Sequence, residues 1–271
     1  MIFIISLLVS SVITFFLLVM LAMSLNARNK VVKSFSSGPP SIAEGPLVSV
    51  IIPALNEEDY LPNCLKSIKS QTYKNIEIIV ADNFSADKTQ EIAAEFGART
   101  IKVEGKNLPH VRNEGAKIAK GEILFFIDAD SILENRYVER MVNELSEKVV
   151  FSHGGICCYD SLLHNFLWIF NRFFKPYFYT SGRNGSCLWK KIFWEIGGYD
   201  RNKNPLEGYR EDLDLGLRTL KKFGVFSIKY CPTVLIGSSA RREKLFGYPF
   251  WRFPSAWQQG VRGVRGKKII Y

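Results

Sequence analysis

The residues best suited to chemistry are acids placed at the ends of apolar runs. In "ILFFIDADS", Ile123 to Ser131, five large apolar residues lead straight into Asp128 and Asp130, one alanine apart. "IEIIVAD" ends in the same way on Asp82, and Asn56 follows the run "LVSVIIP". A further pair, Glu211 and Asp212, opens "EDLDLGLRTLKKFG". Two carboxylates converging in a pocket have three common uses: a metal site, an acid/base pair, or a structural hydrogen-bond cluster. Hard oxygen ligands favour Mg²⁺ or Mn²⁺, and Mg²⁺ is commonly held by one or two carboxylates together with substrate phosphates. Acids in a helix's first turn are also favoured by the helix dipole alone, and a strand-end Asp can cap a turn. Residue type by itself leaves these uses open.

The elements around these acids narrow the choice. "LVSVIIP" (Leu47–Pro53), "IEIIVAD" (Ile76–Asp82), "RTIKV" and "EILFFIDAD" are near-continuous apolar or β-branched runs, as expected of strands covered on both faces. Between them lie helical patterns. Leu61, Cys64, Leu65 and Ile68 share one face; "SADKTQEIAAEFG" starts at Ser85 and stops at Gly97; "LPHVRNEGAKIAKG" has Pro109 in its first turn and Gly121 at its end. Strands alternating with helices imply βαβ units and a mostly parallel sheet flanked by helices, a Rossmann-like α/β fold. Ligands of such sheets bind at the carboxyl ends of the strands. Asn56, Asp82, Asp128 and Asp130 should therefore meet on one rim. If the chain stays extended through "DAD", Asp128 and Asp130 point the same way, because strand side chains alternate.

Composition adds a membrane. The chain has 271 residues, 47% of them hydrophobic, and its first charged residue is Arg28. The run from Met1 to Leu25 exceeds the roughly 20 residues that cross a bilayer as a helix, and it lacks the basic start and short apolar core of a cleaved signal. Arg28, Lys30 and Lys33 follow the span with nothing basic before it. The positive-inside rule then puts the bulk of the chain in the cytoplasm, as a single-pass protein of the cell membrane. The five cysteines, odd in number and without CxxC spacing, fit a reducing compartment. From Arg241 to Tyr271 eight Lys or Arg face Glu243 alone, interleaved with aromatics such as Phe246, Trp251 and Trp257. That pattern suits anionic headgroups or a phosphate-bearing ligand; it lacks any recognised nucleic-acid motif, so no nucleic acid is expected as a partner. Leu162 to Tyr179, rich in aromatics with only Arg172 and Lys175 charged, suits an interfacial helix or an ordinary buried one. No GxxxxGK[ST] or GxGxxG follows any strand, which sets aside an ATPase or a dehydrogenase.

Taken together, "VSVIIPALNEEDYLPNCLKSI", "IEIIVADNFSADKT", "VRNEGAKIAKGEILFFIDADS" and "GGYDRNKNPLEGYREDLDLGLR" resemble the glycosyltransferase family 2 enzymes, which have the GT-A fold. The resemblance runs from Leu47 to about Leu220, four ordered motifs in fitting spacing. It implies a catalytic domain over 47–240; hydropathy, composition and charge set an anchor at 1–27, a linker at 28–46 and a basic aromatic segment at 241–271 around it. It implies that Pro53, Asn56 and Glu57 line the nucleoside pocket, that Asp82, supported by Asp87, contacts the base, and that Arg112 and Asn113 lie near the sugar and diphosphate. Asp128 and Asp130 match the DxD motif that holds Mg²⁺ or Mn²⁺ on the diphosphate. Asp212 matches the general base and Glu211 its partner. "QQGVR" is similar to the QxxR portion of the QxxRW motif of processive synthases, with Gly263 in place of the Trp.

The activity so implied is metal-dependent, inverting transfer of a hexose-type sugar from a nucleotide-sugar to a hydroxyl, on a lipid-linked or growing glycan acceptor. A divalent cation stabilises the diphosphate as it leaves, and a carboxylate facing the sugar takes the proton of the attacking hydroxyl. A phosphate acceptor, already anionic, would need no such base, so the retained Glu211-Asp212 pair leans toward a hydroxyl. The competing expectation is a non-catalytic, membrane-tethered module of the same fold that docks an anionic partner. The presence of both acid pairs speaks against it.

Overall fold

The computed structural model describes residues 2–34, 45–105, 107–166, 184–202 and 211–241. The expectations for most of Leu162 to Tyr179, and for the segment beyond Arg241 with its "QQGVR", lie outside those residues. Helix α1 (Ile2–Ser34) is followed by β1 (Val48–Ala54), α2 (Leu61–Lys69), β2 (Ile76–Asp82), α3 (Thr89–Glu95) and β3 (Arg99–Lys102). Next come α4 (Leu108–Ile118), β4 (Ile123–Phe126), β5 (Ser131–Leu133) and α5 (Tyr137–Asn143). The last described elements are β6 (Phe151–Cys158), β7 (Ser186–Trp189), α6 (Lys190–Glu195), α7 (Glu211–Phe223) and β8 (Ile228–Ser238).

The strands form one sheet in the order β3-β2-β1-β4-β7-β6-β8-β5. The first four are mutually parallel, as their apolar sequences require. Beyond β4 the sheet is mixed: β7 runs antiparallel to β4 and β6, β8 is parallel to β6, and β5 is antiparallel to β8. Strand alternation divides the core in two. Val48, Val50, Ile52, Val80 and Phe125 face α2 and α5, packing on Leu61, Leu65 and Tyr137. Ile51, Ile79, Leu124 and Phe126 face α4, α6 and α7, packing on Ala116, Phe193 and Leu215. Each such fully buried side chain contributes about 1.5–3 kcal/mol.

Helix α4 lies unusually close to the sheet, and a glycine makes that possible. A Cβ on Gly115 would sit 2.6 Å from the Ile51 side chain, so any larger residue would lift the helix and the side chains it carries.

Helix α1 is the one described helix long and apolar enough to cross a membrane. It continues to Ser34, past the boundary at residue 27 that the first charges suggested. The cause is contact with the sheet. Val31 is buried against Cys157 and Leu235, Arg28 Nε donates to the Tyr159 carbonyl at 2.9 Å, and Lys30 pairs with Glu134 at 2.9 Å. The end of the helix is thus docked on the β6–β8 side of the sheet.

Candidate active site

Strand β4 ends at Phe126, so "DAD" is not extended as alternation would require. Ile127 N still donates to Ile51 O at 3.1 Å, and then the chain turns, with Ser131 N on Asp128 O at 3.1 Å. Asn184 Oδ1 accepts from Asp128 N at 2.8 Å, and Tyr159 OH donates to Asp130 O at 3.2 Å, fixing the turn from outside. The two carboxylates consequently have different surroundings: Asp128 is about a quarter exposed and Asp130 almost fully buried.

Each acid pairs with an arginine. Arg112, on α4 and only 3% exposed, reaches Asp128 at 2.8 Å through Nη2. Its Nη1 lies 2.8 Å from Glu211 and 3.5 Å from Asp212. One planar guanidinium therefore gathers acids from β4 and α7, a geometry that its forked donors allow and an ammonium would not. Its charged form is held firmly: those carboxylates push its pKa up against the opposing effect of burial. Tyr199 stacks under it, 5.2 Å from ring centre to guanidinium carbon, and donates its hydroxyl to Asp212 at 3.1 Å. Asn113 holds that tyrosine from both sides, donating to Tyr199 O at 2.8 Å and accepting from Tyr199 N at 2.9 Å.

Glu211 is the buried member of its pair, and Asp212 is a quarter exposed. Burial, and then the neighbouring Asp212 charge, push the Glu211 carboxyl up to about 7, although Arg112 pulls it down. A carboxyl tuned there exchanges a proton near neutral pH, where general acid–base groups are most effective.

The second arginine is Arg241, just after β8. It contacts Asp130 at 3.2 Å, forms an ion pair with Glu57, and lies over the Tyr60 ring at 4.5 Å. Asn56 and Glu57 form the turn after β1. Asn56 has φ of 54°, a left-handed conformation that Asn tolerates, and its side chain accepts from Ala86 N at 2.9 Å. Glu57 N donates to Thr89 Oγ1 at 2.8 Å. Pro53 lies within β1, paired in register with Ala81.

Asp82 sits where expected, at the end of β2, but is fully buried. It accepts from the Ser85 backbone and hydroxyl and from Gln90, so its carboxylate shapes the loop that follows. Asp87 fixes the same loop through Glu58 N at 3.0 Å and Thr89 N at 3.0 Å. Beside it a cavity of about 360 Å³ is lined by Leu55, Asn83, Phe84, Glu104 and Gly105. A second cavity of about 490 Å³ backs onto Asn113 and Tyr199. Its three cations are already paired, Lys117 and Arg201 with Glu114 and Arg218 with Asp214.

Among the described residues no three His, Cys, Asp or Glu side chains gather to hold a metal. The turn at Asp128–Asp130 offers two carboxylates, a donor set of the kind that would suit a hard cation. Four contributors to the turn and its ion pairs had no role in the sequence reading: Tyr159, Asn184, Tyr199 and Arg241. "GGYD" was visible as part of a motif, but nothing in its spacing marked the tyrosine as a partner of Asp212.

Residues 49–196, more than half of the chain, match the family model described as glycosyl transferase family 2. The chain belongs to that family. This family 2 chain is 37% identical to the putative glycosyltransferase EpsH of Bacillus subtilis over 39% of its own length and 32% of that relative. It is 33% identical to the glycosyltransferase GlyG of Streptococcus pneumoniae over 55% of its length and 48% of that relative. The matched part thus spans half or less of these curated relatives. Among solved structures, the mannosyltransferase PcManGT from Pyrobaculum calidifontis, in complex with GDP-Man and Mn²⁺, superposes with a TM-score of 0.58 at 19% identity. That match covers 89% of this chain and 71% of the other, and it establishes the shared GT-A fold.

Proposed function

We propose that the protein is a membrane-anchored, metal-dependent, inverting glycosyltransferase that moves a sugar from a nucleotide-sugar to a hydroxyl of a lipid-linked or growing glycan acceptor. One observation carries the reading: Arg112 joins Asp128 to the Glu211–Asp212 pair within a single guanidinium's reach. A diphosphate-holding acid and a proton acceptor are thereby brought together although they lie far apart in the chain.

The base of the donor enters the cavity beside the Asp82 loop, lined by Leu55, Asn83, Phe84, Glu104 and Gly105; of the 53–57 segment only Leu55 reaches it. Asp128 and Asp130 would hold Mg²⁺ or Mn²⁺, which when bound withdraws charge from the departing diphosphate. Arg112 and Asn113 act at the sugar's side of the cleft, Arg112 by fixing the acids and Asn113 by fixing Tyr199. The acceptor oxygen forms its bond to the anomeric carbon as the bond from that carbon to the diphosphate oxygen breaks. The electron pair leaves with the diphosphate, and the acceptor proton goes to Asp212, the more exposed of the two α7 acids. A single displacement inverts the anomeric centre. Tyr199 and Arg112 orient the Asp212 carboxylate, so the base needs no reorganisation when the acceptor arrives.

The docking of α1 favours a membrane-borne acceptor. Arg28 on the anchor helix bonds the Tyr159 carbonyl while the Tyr159 hydroxyl bonds Asp130, so one residue links the span's end to the DxD turn.

The test is Asp212→Asn in the full chain, purified in detergent and given labelled nucleotide-sugars with membrane extract. Nucleotide binding is expected to persist while label entering the lipid fraction falls by about 10²–10⁴. Undiminished transfer by the variant would remove Asp212 from the role of base. Label found only in water-soluble products would remove the lipid-linked acceptor.

A further inference from the structure

The acid cluster around Asp130 contains a cation of its own. Arg241 enters the rim from beyond β8 and is itself mostly buried. It spans Glu57, on the β1 turn, and Asp130, on the β4 turn, while its flat face rests on Tyr60. Its backbone is anchored independently, since Asp160 accepts from Ala240 N at 2.8 Å and from the Ser239 hydroxyl at 2.8 Å. Arg241 N in turn donates to Ser239 Oγ at 3.1 Å. This is a built contact between Arg241 and Glu57, 184 residues apart in the chain, and nothing in a solvated basic tail would require it.

We infer that Arg241 is a resident counter-cation of Asp130 and Glu57, which a divalent ion must displace from Asp130 in order to bind. The inference rests on Asp130 being a metal ligand. The physical argument is one of competition. Asp130 is buried, and a carboxylate there must be compensated by a neighbouring positive charge. The guanidinium provides this through its ion pair with Asp130 at 3.2 Å, while it is hydrogen-bonded to Glu57. A divalent ion on the same carboxylate repels the guanidinium at short range, so both cannot share it without cost. Nucleotide diphosphate resolves the competition by bringing anionic oxygens that serve both cations. Metal binding on its own is therefore weakened, and metal binding with nucleotide is not. The arginine makes the cation site selective for the ion that arrives with a donor.

The measurement is Mn²⁺ binding to the full chain in detergent, followed by electron paramagnetic resonance, with and without UDP or GDP. Wild type is compared with Arg241→Ala and Arg241→Lys, each first checked for a cooperative thermal transition. Without nucleotide, Arg241→Ala is expected to bind Mn²⁺ at least about tenfold more tightly than wild type, which is ~1.4 kcal/mol. Arg241→Lys, which keeps the charge but not the fork, is expected to fall between them. Equal or weaker binding by a folded Arg241→Ala would overturn the inference and leave Arg241 a fixed strut. Asp130→Asn separates the two layers of argument: if it leaves Mn²⁺ binding unchanged, the metal assignment fails before the role of Arg241 is reached.

Discussion

Replacing Arg112 with alanine should be among the most damaging single changes in the protein. The guanidinium is 3% exposed and makes two ion contacts of 2.8 Å and one of 3.5 Å, to Asp128, Glu211 and Asp212. Removing one partner of a buried ion pair costs about 3–5 kcal/mol; here the buried Glu211 loses its counter-charge, while Asp128 and Asp212 stay about a quarter exposed and Asp212 keeps the Tyr199 hydroxyl. For a domain of this size about 1 kcal/mol moves the melting temperature by 2–4 °C, so the expected loss is roughly 6–20 °C at pH 8. The same structure supplies a pH signature. Glu211 already titrates at about 7 with Arg112 lowering its pKa; without the arginine its pKa rises further. At pH 5.5 Glu211 is then neutral, one fewer charge is stranded, and the loss should shrink. Arg112→Lys should recover part of the stability, since a single ammonium cannot reproduce both 2.8 Å contacts. Thermal melts of the full chain in detergent, followed by tryptophan fluorescence at pH 5.5 and 8, check each point. A loss below about 2 °C at pH 8, or a larger loss in acid, would refute the view that Arg112 holds the acid cluster together.

Two other outcomes follow from the fold and the same pair of acids. A Cβ on Gly121 would lie 2.5 Å from the Leu47 carbonyl oxygen, so Gly121→Ala should destabilise by at least about 1–3 kcal/mol, read as a lowered melting temperature. In Glu211 the folded pKa of about 7 lies above the ordinary 4.5, so the folded state binds an extra proton between those values. That stability is fully present below the lower value and is lost as pH rises through the upper one. Glu211→Gln should flatten the stability profile between them, and an unchanged slope in pH-dependent melts would place the proton elsewhere.

The parallel half of the sheet was legible because its strands are buried on both faces and therefore carry continuous apolar runs, as in Val48–Ala54 and Ile76–Asp82. The mixed half was not. Strand β7 pairs with β4 across about sixty residues of chain, and no local pattern in "SCLW" announces which neighbour it will meet. The direction of the DxD side chains escaped for a similar reason. Ile123–Ile127 reads as a strand that could continue, but the side chain of Asn184 takes the next backbone N–H, that of Asp128, and the strand stops. Helix α1 outran its expected end because charge patterning marks where a helix leaves an apolar phase. It does not show that Arg28, Val31 and Lys30 have protein to pack against.

The arginines show most clearly what a sequence conceals. Arg112 resembled one half of a family motif, and Arg241 the first residue of a basic tail, yet between them they offset part of the rim's charge. Glu57, Asp128, Asp130, Glu211 and Asp212 are five acids served by these two cations. Raising Glu211 toward neutrality relieves part of the excess, and the remaining negative charge still favours a divalent ion. That same charge repels a nucleotide diphosphate arriving alone. On the proposed chemistry, donor and cation must therefore enter as a unit, and the cleft enforces this through the placement of its arginines rather than through any additional acid.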